Sequence, residues 1–289
     1  LKTNELELIL NDADPVAILV SETYLDKALK LKDRVTSVNH IIVLEDESKS
    51  DSYQSYRELK AKEGIIEVRE RDWNELAVLT YTSGTTGIPK GVMTTFHNLT
   101  FEVDTLLKQI KLERTETTIS ILPLSHLLEL VGGFLCTLYS GGKIAYINSL
   151  FPQDILQAMK DQSANRMLAV PLFFQMVKKQ IEKNINKSPK VNRVIFWILF
   201  NVISPVAPLS IRRKIFKKIH IEFGGHLDYF MSGAAPLDID TEIFFERIGL
   251  PILQGYGLTE TSPVASVNTK SHRKKGTVGR PLPETEIKI

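Results

Sequence analysis

Five hydroxyl side chains, three glycines and a lysine fall within eleven consecutive residues of this 289-residue chain, Tyr81-Thr-Ser-Gly-Thr-Thr-Gly-Ile-Pro-Lys-Gly91. Glycines such as Gly84 and Gly87 let successive backbone N–H groups turn toward one anion. The hydroxyls of Tyr81, Thr82, Ser83, Thr85 and Thr86 add donors, and Lys90 adds positive charge. Cradling a phosphate is the chemistry such a set would do. The spacing is not that of the common P-loop, because Gly84 and Gly87 are three apart and Lys90 follows a proline rather than a glycine. A plain turn between elements explains a Gly-Thr pair, but it needs neither five hydroxyls nor a terminal lysine.

Three further groups carry chemistry. Gln254-Gly-Tyr-Gly257 sets the Tyr256 ring between Gly255 and Gly257, leaving its faces open to stack on a flat heterocycle; the alternative is a core tyrosine in a turn. Thr259 and Glu260 follow at once, a hydroxyl donor for phosphate and a hard oxygen ligand of the kind Mg²⁺ prefers. In Gly233-Ala234-Ala235-Pro236 the small side chains would let a nucleotide approach the backbone, and the same residues also suit a tight strand-to-helix turn capped by Asp238. His126, beside Leu124 and Leu127, reads on its own as a histidine satisfied in the core.

Such groups need elements to hold them. Short apolar runs suggest strands at Val16–Val20, Ile41–Leu44, Leu76–Thr80, Thr118–Leu122, Lys143–Ile147, Met167–Val170, Asp228–Met231 and Ile252–Leu253. Helical patterns lie between most of them, including one capped by Ser21 and one over Asp51–Glu63. Near-continuous apolar strands alternating with helices predict an α/β fold, its sheets mainly parallel and covered by helices. Ligands in such sheets bind beyond the carboxyl ends of the strands. No fixed-period repeat or low-complexity tract interrupts the chain.

Composition removes several classes. Lys and Arg number 36 against 34 Asp and Glu, a near balance that argues against a nucleic-acid binder. The single Cys136 excludes a disulfide scaffold and suits a reducing, cytoplasmic location. Leu1 is not an initiator methionine, and Glu5 and Glu7 stand where a signal peptide would be apolar; the sequence reads as a piece of a longer one. Charge is uneven, with 17 acidic and 11 basic residues before position 81 and 11 basic residues against the lone Glu182 between Lys178 and Ile221. The apolar run Val194–Leu209 inside that basic stretch is too short and too broken by Asn201, Pro205 and Pro208 to cross a bilayer.

Taken together and in order, these motifs resemble those of the adenylate-forming superfamily of acyl-CoA synthetases, peptide-synthetase adenylation domains and luciferases. Thr82 to Gly91 is similar to its phosphate loop, Leu122-Pro-Leu-Ser-His126 to its second loop, and Ser232 to Leu237 to its adenine-side loop. Gln254 to Thr261 is similar to its adenylate-binding core, and Gly276 to Ile289 to the segment leading to its ribose site. The resemblance implies the family's large N-terminal domain, incomplete here. Residues 1–75 would form part of a first αβ subdomain and 76–289 the nucleotide- and acyl-binding region, with the small C-terminal domain absent. It further implies that Tyr256 stacks on adenine, that Thr259 contacts the α-phosphate, and that Glu260, with Thr85, holds Mg²⁺. Lys90 would neutralise phosphate charge, and His126 would lie beside the carboxylate substrate and orient it rather than act as a base, since a carboxylate attacking phosphorus loses no proton.

The implied activity is ATP-dependent conversion of a carboxylic acid to acyl-AMP and then to the thioester of coenzyme A. Val170 to Val177 and Ser125 to Glu129 resemble the long-chain fatty acid CoA ligases most. Two other readings stay open: a nucleotide- and substrate-binding fragment without turnover, and a ligase delivering to a carrier protein. Many relatives have a Thr-His pair after the phosphate loop; here Phe96 separates Thr95 from His97, so no role passes to His97. Residues 178–221 read either as a core helix followed by a solvated basic helix, or as a peripheral contact with anionic membrane through Phe196, Trp197 and Phe200.

Overall fold

The computed structural model describes residues 1–45, 50–62, 64, 67–83 and 88–289, the Ser83 side chain excepted. The chain divides into two compact units, Leu1–Phe96 and His97–Ile289. In the first, α1 (Thr3–Ala13), β1 (Ala17–Val20), a 3-10 turn (Glu22–Tyr24), α2 (Leu25–Lys32), β2 (His40–Val43), β3 (Gln54–Ser55) and α3 (Tyr56–Ala61) follow one another. The three strands pair in parallel, and Ala28, Ile41 and Val43 are the buried centre of the packing between this sheet and α2.

Two helices differ from expectation. The Ser21 side chain caps nothing, because a 3-10 turn intervenes before α2. The helix expected over Asp51–Glu63 is confined to α3, where Ser55 Oγ accepts from the Glu58 N–H. The strand at Leu76 also departs from the parallel pattern. β4 (Leu76–Ser83) pairs antiparallel with β5 (Pro89–Thr95), since the short link between them cannot make the crossover that a parallel pair requires.

The second unit is built on a seven-stranded sheet. Its elements are α4 (Phe96–Gln109, the first residue closing the first unit), β6 (Thr117–Ser120), α5 (Cys136–Tyr139), β7 (Lys143–Tyr146), α6 (Pro152–Asp161), β8 (Arg166–Ala169), α7 (Pro171–Asn186), α8 (Lys190–Ile198), α9 (Leu209–Ile215), α10 (Lys217–Glu222), β9 (Tyr229–Ser232), α11 (Ile239–Arg247), β10 (Ile252–Tyr256), β11 (Ser266–Val267) and β12 (Arg280–Pro281). The strand order is β12-β11-β10-β9-β8-β6-β7. Pairings from β7 through β10 are parallel, as expected, and β11 and β12 add antiparallel.

Strand side chains alternate between faces. Ile119, Met167, Phe230 and Ile252 enter one core, where Phe174 and Phe230 meet edge-on at 5.2 Å and Phe230 and Phe245 at 5.6 Å. Each such ring pair adds about 0.5–1.5 kcal/mol beyond area burial. Leu168, Tyr229, Met231 and Leu253 form a buried cluster on the other face, packed by Ile110 and Leu128.

Candidate functional site

Thr82 and Lys90 stand directly opposite each other across the β4–β5 hairpin, at the mouth of the hydroxyl- and glycine-rich link. Lys90 is exposed and Thr82 half-buried. Gly84, Thr85, Thr86 and Gly87 lie outside the described residues, and with them the expected Thr85 contact to a metal. Tyr81 corrects the donor count: its hydroxyl donates to the Asp12 carboxylate, and burial together with that neighbour pushes the phenol up to about 12. Its ring packs over Gly91, where a Cβ would lie 3.3 Å from Tyr81 Cζ and 3.0 Å from Leu79 Cδ1.

In the second unit the candidate residues gather at the carboxyl ends of neighbouring strands. β6 leads into Leu122–His126, β9 into Gly233–Pro236, and β10 into Tyr256–Glu260; β6 and β9 flank β8, and β10 pairs with β9. His126 is exposed, so the reading as a satisfied core histidine is not what the structure has. Its carbonyl accepts from the N–H groups of Glu129 and Leu130 as the helical stretch begins. Gly233 backs onto that stretch: a Cβ there would sit 2.9 Å from Leu128 Cδ2, so the His126 loop and the Gly233–Pro236 loop are neighbours.

The Gly233–Pro236 turn is tight. Ala234 takes a left-handed φ of 67° and is exposed with Ala235 and Pro236. Asp238 caps α11 as expected, its carboxylate accepting from the Thr241 N–H at 2.9 Å. Tyr256 is 51% exposed, which removes the alternative of a core tyrosine. The two flanking glycines serve different ends. A Cβ on Gly255 would meet Ser266 O at an ordinary 3.4 Å, whereas one on Gly257 would fall 2.0 Å from Pro263 O. Gly257 is therefore demanded by a backbone folding back on it. Thr259 is half-buried in a 3-10 turn, Thr259–Thr261, and Glu260 is exposed with no hydrogen-bond or ion-pair partner among the described residues. Gln254 is buried: its amide donates to Glu242 Oε2 at 3.0 Å, and the same oxygen accepts from the Gly276 N–H at 2.8 Å. It joins β10, α11 and the segment before β12.

Below these loops an apolar cavity of about 50 Å³ lies against the sheet. It runs from Ser232 and Gly255 at the carboxyl ends of the strands to Arg166 at the first residue of β8, with Leu128, Gly132 and Cys136 on the helical side. Burial drives the Cys136 thiol up to about 12. Arg166 is 1% exposed; it donates to Thr118 Oγ1 and Thr137 Oγ1 at 2.5 and 2.6 Å, and its Nη1 has no partner among the described residues.

Several of these residues escaped the reading of motifs. The helix after His126 contains a π turn at Glu129–Leu135, within which Glu129 is buried and accepts from Ser120 Oγ at 2.6 Å. Burial raises its pKa from the ordinary glutamate value, against the lowering effect of the Ser120 hydrogen bond. Gly133 makes room for it, since a Cβ there would lie 2.4 Å from Glu129 Oε1. The available signal was a Gly-Gly pair inside an apolar helical run. Glu102 was hidden likewise in the amphipathic pattern of α4. It is buried, accepts from the Val264 N–H at 2.9 Å, and is pushed by burial to about 8.

The family whose sequence model matches residues 1–289 is described as AMP-binding enzyme. Fatty acyl-CoA synthetase B of Dictyostelium discoideum is 34% identical over 224 residues, which cover 74% of this chain and 33% of that protein. A chloroplastic long-chain fatty acid to acyl-carrier-protein ligase of Arabidopsis thaliana is 31% identical over 258 residues, covering 75% and 35%. The ATP-bound crystal structure of MatB from Rhodopseudomonas palustris superposes with a TM-score of 0.73 at 24% identity, over 98% of this chain and 48% of that one. The chain thus spans about a third of the length of these curated relatives and about half of the solved chain.

Proposed function

The chain belongs to the AMP-binding enzyme family, and from that premise we propose that it serves ATP-dependent activation of a long-chain fatty acid, first to acyl-AMP and then to a coenzyme A thioester. The observation that carries the acid's class is the apolar cavity leading from the loop edge of the sheet toward Arg166. An amino-bearing acid would be left unpaired against its leucines and valines and beside the Arg166 guanidinium. Its 50 Å³ is too small for a long alkyl chain, so such a chain enters as the flanking leucines change rotamer.

The acid's carboxylate attacks the α-phosphorus, pyrophosphate leaves, and the thiol then displaces AMP. For the first step the protein positions groups and neutralises charge. Tyr256 stacks on adenine, with Gly233, Ala234, Ala235 and Pro236 along its edge and Gln254 and Gly255 holding the strand beneath. Thr259 donates to the α-phosphate; Thr82, Ser83, Gly84, Thr85, Thr86 and Gly87 cradle the phosphates with Lys90. His126 orients the attacking carboxylate. For Mg²⁺ the donor set fits: Glu260 offers an exposed carboxylate with no hydrogen-bond or ion-pair partner among the described residues. One carboxylate completed by phosphate oxygens and water is the shell Mg²⁺ takes at phosphate sites. When bound, Mg²⁺ would supply charge neutralisation to the phosphates.

The carrier-protein ligase among the relatives favours a second reading only for the last step, in which acyl-AMP passes to a carrier thiol. Acid-dependent exchange of pyrophosphate into ATP tests the proposal, run with palmitic, dodecanoic and acetic acids and an amino acid. Long acids should support exchange best, and Lys90→Ala should lower it by about 10²–10³ without unfolding the exposed hairpin. Preference for acetate or an amino acid would overturn the acid assignment; nucleotide binding without exchange would establish the fragment reading.

A further inference from the structure

Residues 190–206 form the most unusual surface of the second unit. α8 and the π turn that continues it (Leu199–Ile203) pack Phe196, Leu199 and Phe200 against the phenylalanine core. A helix with one face packed on a core ordinarily turns a polar face outward. This one turns out Val191, Val194, Ile195, Trp197, Ile198 and Val202, all exposed, with Trp197 at 60%. The positions recur at three- and four-residue steps, so they make one stripe along the helix. The expectation of a core helix followed by a solvated basic helix therefore fits only the buried side.

Cations border the stripe. Lys190 and Arg193 line a surface groove between α7 and α8 together with Val194 and Trp197, and Glu182 is the one acidic side chain in it. Lys179, Lys183 and Lys187 are exposed on and just beyond α7. Within the basic stretch Arg212 and Arg213 are engaged by Glu246 and Asp228; Lys190 and Arg193 have no ion-pair partner among the described residues. An exposed apolar stripe with an aromatic ring, rimmed by unpaired cations, complements a surface that is apolar inside and anionic at its boundary. Among the described residues no helix is long and apolar enough to cross a membrane, so the contact is one that lies on a bilayer.

We propose that the 190–206 face docks on an anionic lipid surface, burying Val194, Trp197, Ile198 and Val202 at the level of the headgroups while Lys190 and Arg193 pair with lipid phosphate. The contact involves neither nucleotide nor acid and stands apart from the activity assigned above. Charge complementarity selects lipid over another copy of the chain, because two such faces brought together would oppose their own cations.

Flotation with phosphatidylglycerol vesicles and with phosphatidylcholine vesicles, without ATP or fatty acid, tests it. The protein should float with the anionic vesicles at low salt, much less at high salt, and little with the neutral ones. Lys190→Gln with Arg193→Gln should weaken vesicle binding about tenfold or more, and Val194→Asp with Val202→Asp should abolish it, with circular dichroism confirming that these exposed changes leave the fold intact. Trp73→Phe leaves Trp197 as the sole indole, whose emission should shift to the blue on anionic vesicles. Failure to float on anionic vesicles at low salt, or flotation indifferent to the aspartates, would overturn the proposal. So would a dimer in solution that the same aspartates convert to monomer, since the occupant would then be a second copy.

Discussion

A carboxyl group buried at the root of a ligand-binding loop couples the loop's stability to pH, and Glu102 is such a group. It lies in α4 and receives the Val264 N–H a few residues after Glu260, so it fixes where the loop after β10 returns to the core. Burial holds it protonated up to about 8, against the 4.5 of an exposed glutamate. Between those values the native state keeps a proton that the unfolded chain has lost. Glu102's contribution is therefore fully present below about 4.5 and declines as pH rises toward 8. Glu102→Gln keeps an acceptor for Val264 and removes the ionisation. Urea denaturation across this range should find the variant's stability with a smaller downward trend, and at pH 8 the variant more stable by on the order of a few kcal/mol. Parallel profiles for the two proteins would refute a protonated Glu102. Glu102 was not legible in the sequence, because a glutamate inside an amphipathic helix reads as solvated until packing places it.

Elements fix what single residues can do, and the two small-residue loops show how. Gly257 and Ala234 look alike in sequence, each a small residue beside a proposed adenine pocket. At Gly257 the chain returns so closely that any Cβ would strike Pro263 O at 2.0 Å and Val264 Cα at 2.8 Å. Backbone cannot step aside as a side chain can, so Gly257→Ala should cost about 1–3 kcal/mol and blunt nucleotide binding with it. At Ala234 the strain is in φ, 67° for a residue with a Cβ. There Ala234→Gly should stabilise the fold by about 0.5–1 kcal/mol, the relief of a left-handed alanine exceeding the added chain entropy. Chemical denaturation of both variants checks the pair; equal effects would mean that small size alone, not backbone geometry, decides these loops. The strand-to-helix steps were legible, since strand runs and turn residues are local signals. The β4–β5 hairpin and the π turn were not: the hydroxyl- and glycine-rich link reads as a ligand loop rather than a hairpin turn, and the π turn follows from Glu129 packing beside Gly133 and Ser120.

The whole second unit uses its sheet as a partition. Phenylalanines fill one face, while the other face keeps a cavity where Gly132 presents no side chain opposite Leu168, Met231 and Leu253. The order of motifs along the chain foretold that the candidate loops would follow strand ends, since a parallel sheet directs every carboxyl end to one edge. The depth of the cavity was hidden, being set by Arg166, whose position under Thr118 and Thr137 follows from strand register. If this space takes the acyl chain, filling it must alter which acids are activated and leave the fold intact. At Gly132 a Cβ would lie 3.7 Å from Leu168 Cδ2, an ordinary contact, so Gly132→Ala fits and gains about 1 kcal/mol of helix propensity. The methyl takes volume the alkyl chain would use, a difference of about 1–3 kcal/mol in such pockets. Exchange kinetics should therefore show kcat/KM for palmitic acid falling about tenfold relative to a short acid, with thermal stability held or raised. An unchanged ratio in a stably folded variant would place the acyl chain elsewhere.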